Sequence, residues 1–295
     1  MLTAGTDIVA RRAVEPTTVD CGVMLDRIVR KLLPPLDRFA FKEFYGQPFT
    51  AAPKASRDEY LALWEKARTA RHENVDAYLR GRVEVDREWL DRLALRTQVV
   101  VKTSELCYEH GRLLYSTLYD LAKKSDSPTI NVVETGTARG FSSVCMARAL
   151  ADAGKDGKII TFDVLPHDQP MYWNCIADHE KEQSRRELLA DYTDLLDRYI
   201  IFHQGDTQVE LPKVSLSRVH FAFLDGVHTY EYVMFEFGQI RGRQHRGDQV
   251  FFDDYTPAQF PGVVKAVDEI CERYGYDKQP VRAGEKRGYV IATKR

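Results

Sequence analysis

The chain has 295 residues, 44% of them hydrophobic, enough to bury a sizeable core in one large domain or one domain with an appended piece. Its 42 Lys and Arg nearly cancel its 44 Asp and Glu, which argues against a global field for nucleic acid or an anionic membrane. Five cysteines (Cys21, Cys107, Cys145, Cys175, Cys271) lie at least 30 residues apart. With no C-x-x-C pair, neither a zinc knuckle nor a disulfide framework is expected. The first 20 residues lack an apolar h-region and no run of 18 apolar residues occurs, so a cytoplasmic protein without export signal or membrane span is expected.

In chain order, residues 1–127 read as helices with breaks. "VMLDRIVRKLL" has helical spacing and stops at Pro34-Pro35. "SRDEYLALWEKA" opens with the reciprocal capping pattern, Ser56 followed by Glu59. "REWLDRLALRTQVVV" and "GRLLYSTLYDLAKK" continue the 3.6-residue period, with Trp64, Trp89, Tyr108 and Tyr115 read as packing residues. This helical region is expected to serve as a lid, substrate cap or dimerisation element.

From 128 to 295 the texture changes. Strand-like runs, "INVVETG", "KIITFDV", "YIIFHQGD", "VHFAFLDG" and "DQVFFDDY", alternate with amphipathic stretches at 142–153, 184–198, 230–240 and 261–275. That alternation predicts βαβ units in a doubly wound, mostly parallel α/β sheet. Two last runs, around "QPVRA" and "GYVIATK", are separated only by "GEKR", too short for a crossover. They predict an antiparallel edge hairpin, completing seven strands.

Ligands of such sheets sit beyond the carboxyl ends of the strands. The first strand ends in Glu134 and runs into "TGTARGFSS", with Gly136 and Gly140 bracketing a turn whose helix amino terminus suits an anion. Position 138 is alanine, so the middle glycine of a dinucleotide fingerprint is missing, which weighs against NAD or FAD. Asp163 ends the second strand and Asp206 the third. Acid gathered there suits a ligand with ribose hydroxyls, an adenine amino group and positive charge, which S-adenosylmethionine combines.

The fourth and fifth strands stop on acid as well, Asp225 and the pair Asp253-Asp254. Two like charges 4 Å apart repel by about 4 kcal/mol at an effective dielectric of 20, so three call for protons or a cation. Hard oxygen donors are what Mg²⁺ accepts. His228, three residues past Asp225, is placed to return to the same pocket, whereas His110, His203 and His245 read as ordinary. "LPHDQPMYWNCIADHE" (165–180), with Trp173 near its centre, interrupts the passage to the next helix and reads as a substrate-facing lid.

Together "VVETGTARGFSS", "FDV", "GD", "FAFLDGVHTYEYV" and "FFDDYTPAQFPGVVKAVDEI" resemble the class I S-adenosylmethionine-dependent methyltransferases. More narrowly, they resemble the metal-dependent O-methyltransferases of the macrocin type, which act on sugars. The resemblance implies a Rossmann-like catalytic domain over 128–295. It implies a cofactor cradle of Glu134, Thr135, Gly136, Thr137, Gly140, Phe141, Ser142, Asp163, Asp206, Thr207 and Asp225. It further implies Mg²⁺ or another divalent cation on Asp225, Asp253 and Asp254, with Asp225 and His228 in the chemistry and His228 as general base. The expected partner is a small-molecule hydroxyl acceptor, a sugar or other secondary metabolite, with no nucleic acid or membrane involved and a homodimer as the assembly.

Overall fold

The computed structural model describes residues 53–102 and 104–295. The helix expected around 23–33 lies outside the described residues. Helix α1 (Arg57–Thr69) starts at the expected cap: the Ser56 hydroxyl accepts from the Glu59 amide, while Glu59 accepts from the Ser56 amide at 2.7 Å. Helix α2 (Glu73–Leu79) escapes a periodicity search, because only Val75 and Leu79 form its buried stripe. Asp86 caps α3 (Arg87–Thr97), and α4 (His110–Lys124) buries most of its length.

The strands are β1 (Thr129–Thr135), β2 (Asp156–Asp163), β3 (Ile200–Gln204), β4 (Phe221–Leu224), β5 (Gln249–Phe252), β6 (Tyr276–Arg282) and β7 (Gly288–Lys294). They form one seven-stranded sheet in the order β3-β2-β1-β4-β5-β7-β6. β1 to β5 are parallel; β7 runs antiparallel to β5 and β6 antiparallel to β7, the predicted edge hairpin. The chain winds outward from β1 to β3, then restarts at β4 and winds the other way. The switch point therefore falls between β1 and β4.

Strand alternation sends successive residues to opposite layers. On one face Val132, Ile159, Phe221, Phe223 and Phe251 pack with α3 and α4 through Leu90, Leu114 and Leu118, and with helix α5 (Phe141–Asp152) through Val144. On the other, Val133, Phe162, Ala222 and Val250 pack against α9 (Tyr230–Arg241) and α10 (Pro261–Tyr274). Helices before residue 127 thus share a core with the sheet, within a compact unit spanning Gln47–Arg295. The change of texture at 127/128 is not a break in packing.

The segment 184–198 reads as one helix but folds as three pieces: α6 (Arg185–Leu188), a 3₁₀ turn (Ala190–Tyr192) and α7 (Thr193–Tyr199). The break lets Leu188 pack on Trp173 while Leu189 and Leu196 enter the main core. Helix α8 (Thr207–Glu210) follows β3. Among the described residues, no helix is long and apolar enough to cross a membrane.

Candidate active site

The tips of β1 and β4 meet closely. The Asp225 amide donates to the Thr135 carbonyl at 3.1 Å, and Gly136 sits at φ +85°. A Cβ at 136 would lie 2.0 Å from the Asp225 carbonyl oxygen, so both backbone conformation and space demand glycine there.

Ala138, where a middle glycine was missing, adopts φ +45°, which costs a non-glycine residue about 1–2 kcal/mol. Both of its peptide groups are pinned. Its N–H donates to Asp163 Oδ2, and Arg185 Nε donates to its carbonyl at 2.7 Å. The Gly136 and Thr137 amides donate to the Phe162 carbonyl, and Gly140 to Thr137. These loop amides are engaged within the protein, ahead of the helix amino terminus that begins at Phe141.

The predicted cradle residues divide by position. Glu134 is fully buried, accepts from the Ser142 and Ser143 hydroxyls, and has its carboxyl pushed up by burial. It fastens β1 to the first turn of α5. Phe141 and Thr137 are likewise buried. Asp163 also accepts from the Leu165 amide; burial raises its carboxyl, opposed by Arg185 at 3.8 Å. Asp206 is half-buried at the tip of β3, capping α8 through Gln208 and accepting from Tyr232 at 3.2 Å. Thr207 donates to Glu236 at 2.7 Å.

At the tips of β4 and β5 the acids do converge. Ligand atoms of Asp225, His228 and Asp254 lie within 4.8 Å of one another. His228 Nδ1 is 3.3 Å from Asp254 Oδ2, with its ring against Phe260. Asp254 turns at φ +53°, and its amide donates to Asp253 Oδ1 at 2.7 Å. Asp253 is in side-chain contact with Asp225, and His228 joins Asp225 and Asp254 in the group.

The group contains a cation that sequence reasoning missed. Arg287, in the turn between β6 and β7, places Nη1 2.7 Å from Asp254 Oδ1 and 4.0 Å from Asp253 Oδ2. The only trace in the sequence is "GEKR", which reads as a turn. Burial pushes Asp225 well up, with Asp253 and Asp254 adding to it. Burial and Asp253 raise Asp254. For Asp253, burial is outweighed by Arg287 and His110, which hold it below the ordinary carboxylate range. Two carboxylates and an imidazole at this spacing fit a divalent ion, with one oxygen of Asp254 already held by Arg287.

His110, on the first turn of α4, completes the floor. Its ring packs 4.9 Å from Phe141, and burial pushes its pKa down to about 4. A histidine depressed on folding leaves stability intact above its unfolded pKa of 6.5 and removes it as pH falls toward 4. The loss expected on acidification is about 3 kcal/mol. His110→Gln should flatten the denaturation midpoint between pH 6.5 and pH 4; parallel profiles for variant and parent would refute this assignment.

Within the segment 165–180, residues 173–178 pack inward while 165–172 stay half-buried or exposed. Trp173 is 0% exposed and packs with Cys175, Ala177 and Leu188. Its indole donates to the Gln183 carbonyl, its amide to Asp178, and its carbonyl accepts from Arg139. Asn174 accepts from the Val101 amide and the Tyr60 hydroxyl, tying the segment to α1. Trp173 is thus a packing residue of this segment, not a side chain turned to solvent.

The sequence profile of a family described as "Methyltransferase domain" matches residues 133–255. No curated protein matches the chain at a significant level. Among solved structures, the chain is similar to the O-methyltransferase NovP, with 17% identity and a TM-score of 0.51, covering 81% of this chain and 100% of that one. It is also similar to cofactor-bound Rv0187 from MTB, with 18% identity and a TM-score of 0.50, covering 82% and 99%. These likenesses concern the fold.

Proposed function

We propose that the protein transfers a methyl group from S-adenosylmethionine to a hydroxyl of a small molecule, a sugar or other secondary metabolite, with a divalent ion at the tips of β4 and β5, a reading supported by the match of residues 133–255 to a family described as a methyltransferase domain. The observation that carries this reading is the convergence of Asp225, His228 and Asp254 beside the switch point of the sheet.

When bound, S-adenosylmethionine supplies an electrophilic methyl group on its sulfonium. The chain's own part is to bind and align. The glycine at 136 lets the β1 loop lie against the Asp225 carbonyl, and the half-buried Asp206 presents a carboxylate at the tip of β3. Asp163 serves this cradle from behind by holding Ala138 in place. Alignment of methyl and acceptor contributes up to about 7–11 kcal/mol of barrier reduction in well-oriented systems.

If bound, a divalent ion would be held by the carboxylates of Asp225, Asp253 and Asp254, with His228 beside it rather than ligating it, and would supply Lewis acidity that makes an acceptor hydroxyl easier to deprotonate. His228 is 22% exposed, so an acceptor proton can reach its ring from the crevice. Asp254 Oδ2 steadies the imidazole on one side and Phe260 on the other. In this reading His228 accepts the proton as general base.

The test is mass spectrometry of products from a panel of glycosides and phenols with S-adenosylmethionine, run with and without EDTA. Methylated product and S-adenosylhomocysteine are expected in equal amounts, with turnover falling about 100-fold or more on metal removal. Undiminished turnover by metal-free protein removes the ion from the reading, and failure to bind S-adenosylmethionine removes the activity.

A further inference from the structure

Glu236 lies in the middle of α9, among Val233, Phe237 and Ile240, and is 1% exposed. Its Oε2 accepts from the Thr135 hydroxyl at 2.9 Å and its Oε1 from the Thr207 hydroxyl at 2.7 Å. The Thr135 hydroxyl in turn accepts from the Asp225 amide at 3.3 Å. Gly226 packs so tightly here that a Cβ would stand 2.8 Å from Glu236 Oε1. One carboxylate therefore reaches the tips of β1, β3 and β4 together.

We propose that Glu236 is a positioning residue that locks these three strand tips in register, fixing the cofactor cradle relative to Asp225. The proposal deepens, and rests on, the methyltransferase reading. A buried carboxylate loses several kcal/mol of solvation, and two neutral hydroxyl donors return only part of it. Burial accordingly pushes this carboxyl up to about 7. As a stability device the arrangement is poor, since an apolar residue of similar volume would pack in the same helix face at less cost. As a geometric device it is effective. The Asp225 side chain points to the acid cluster, while its backbone answers to Thr135, which answers to Glu236.

The experiment compares Glu236→Leu and Glu236→Gln with the parent in the full-length protein. It measures thermal unfolding, S-adenosylmethionine binding by calorimetry, and hydrogen exchange over 135–137, 205–208 and 225–228. Glu236→Leu, which deprives the Thr135 and Thr207 hydroxyls of their acceptor, is expected to weaken cofactor binding about 10- to 100-fold, the range typical of losing an outer-shell partner. Its exchange should accelerate selectively at the three tips. Glu236→Gln, which keeps a hydrogen bond to each threonine, should restore both properties to within about threefold. Parental exchange at the tips in Glu236→Leu, or a glutamine variant as impaired as the leucine one, would overturn the proposal. Should the parent itself not bind S-adenosylmethionine, the functional reading falls while the exchange pattern still decides the role of Glu236.

Discussion

Asp225→Asn is expected to lower kcat/KM for methyl transfer by about 10³-fold or more, comparable to removing a principal electrostatic group from an active site. Asp225 stands at the crossing of the two halves of the site. Its amide is bound to Thr135 and its carbonyl abuts Gly136, which fixes the residue to the β1 loop. Its carboxylate joins His228 and Asp254 on the other side. Asparagine keeps the shape and both backbone contacts but removes the charge a cation would meet. The same substitution should leave the unfolding temperature unchanged or raise it, because burial and two neighbouring carboxylates disfavour the charged form in the folded protein. Activity and stability should therefore move in opposite directions, as where function keeps a locally unfavourable group. Initial rates and thermal denaturation measure the pair, and a loss below tenfold would show that the carboxylate is dispensable.

Trp173→Ala is expected to destabilise the fold by about 3–5 kcal/mol, the usual range for deleting a buried indole. Beyond its own cavity, the indole faces the buried Arg185 cation, 5.5 Å from the ring centroid, while the backbone carbonyl of the same residue holds Arg139. Arg185 holds the carbonyl of Ala138, so the loosening should reach the β1 loop. Urea denaturation measures the loss. A change under 1 kcal/mol, with altered KM alone, would restore the lid reading that the packing argues against.

Much of this organisation was legible without coordinates because it depends on short-range rules. Ser56 and Glu59 announce a helix start through a bond three residues long. Alternation of apolar runs with amphipathic ones implied parallel strands, and the short "GEKR" link implied the antiparallel edge. Once β4 and β5 are neighbours, Asp225 and Asp254 have to meet, since each follows the last residue or two of its strand.

Direction and partnership were not legible. Glu134 and Asp206 both end strands, yet one is sealed beneath Ser142 and Ser143 and the other stays half-buried at the rim. Arg287 lies 33 residues from Asp254, and only the closure of the β6–β7 hairpin against β5 brings its guanidinium onto the acids. Glu236 appears in sequence as one polar residue in an apolar helix and becomes a three-strand tie only when α9 docks.

By itself the sequence determined the α/β winding, the edge hairpin, the order of the strand tips and the residue types at each tip, because hydrophobic period and turn length are local properties. Tertiary structure alone decided which carboxylates are shielded, which are neutralised by arginine and which face the crevice. Those outcomes depend on the solvent and charge around each group, and that surrounding is assembled from segments far apart in the chain.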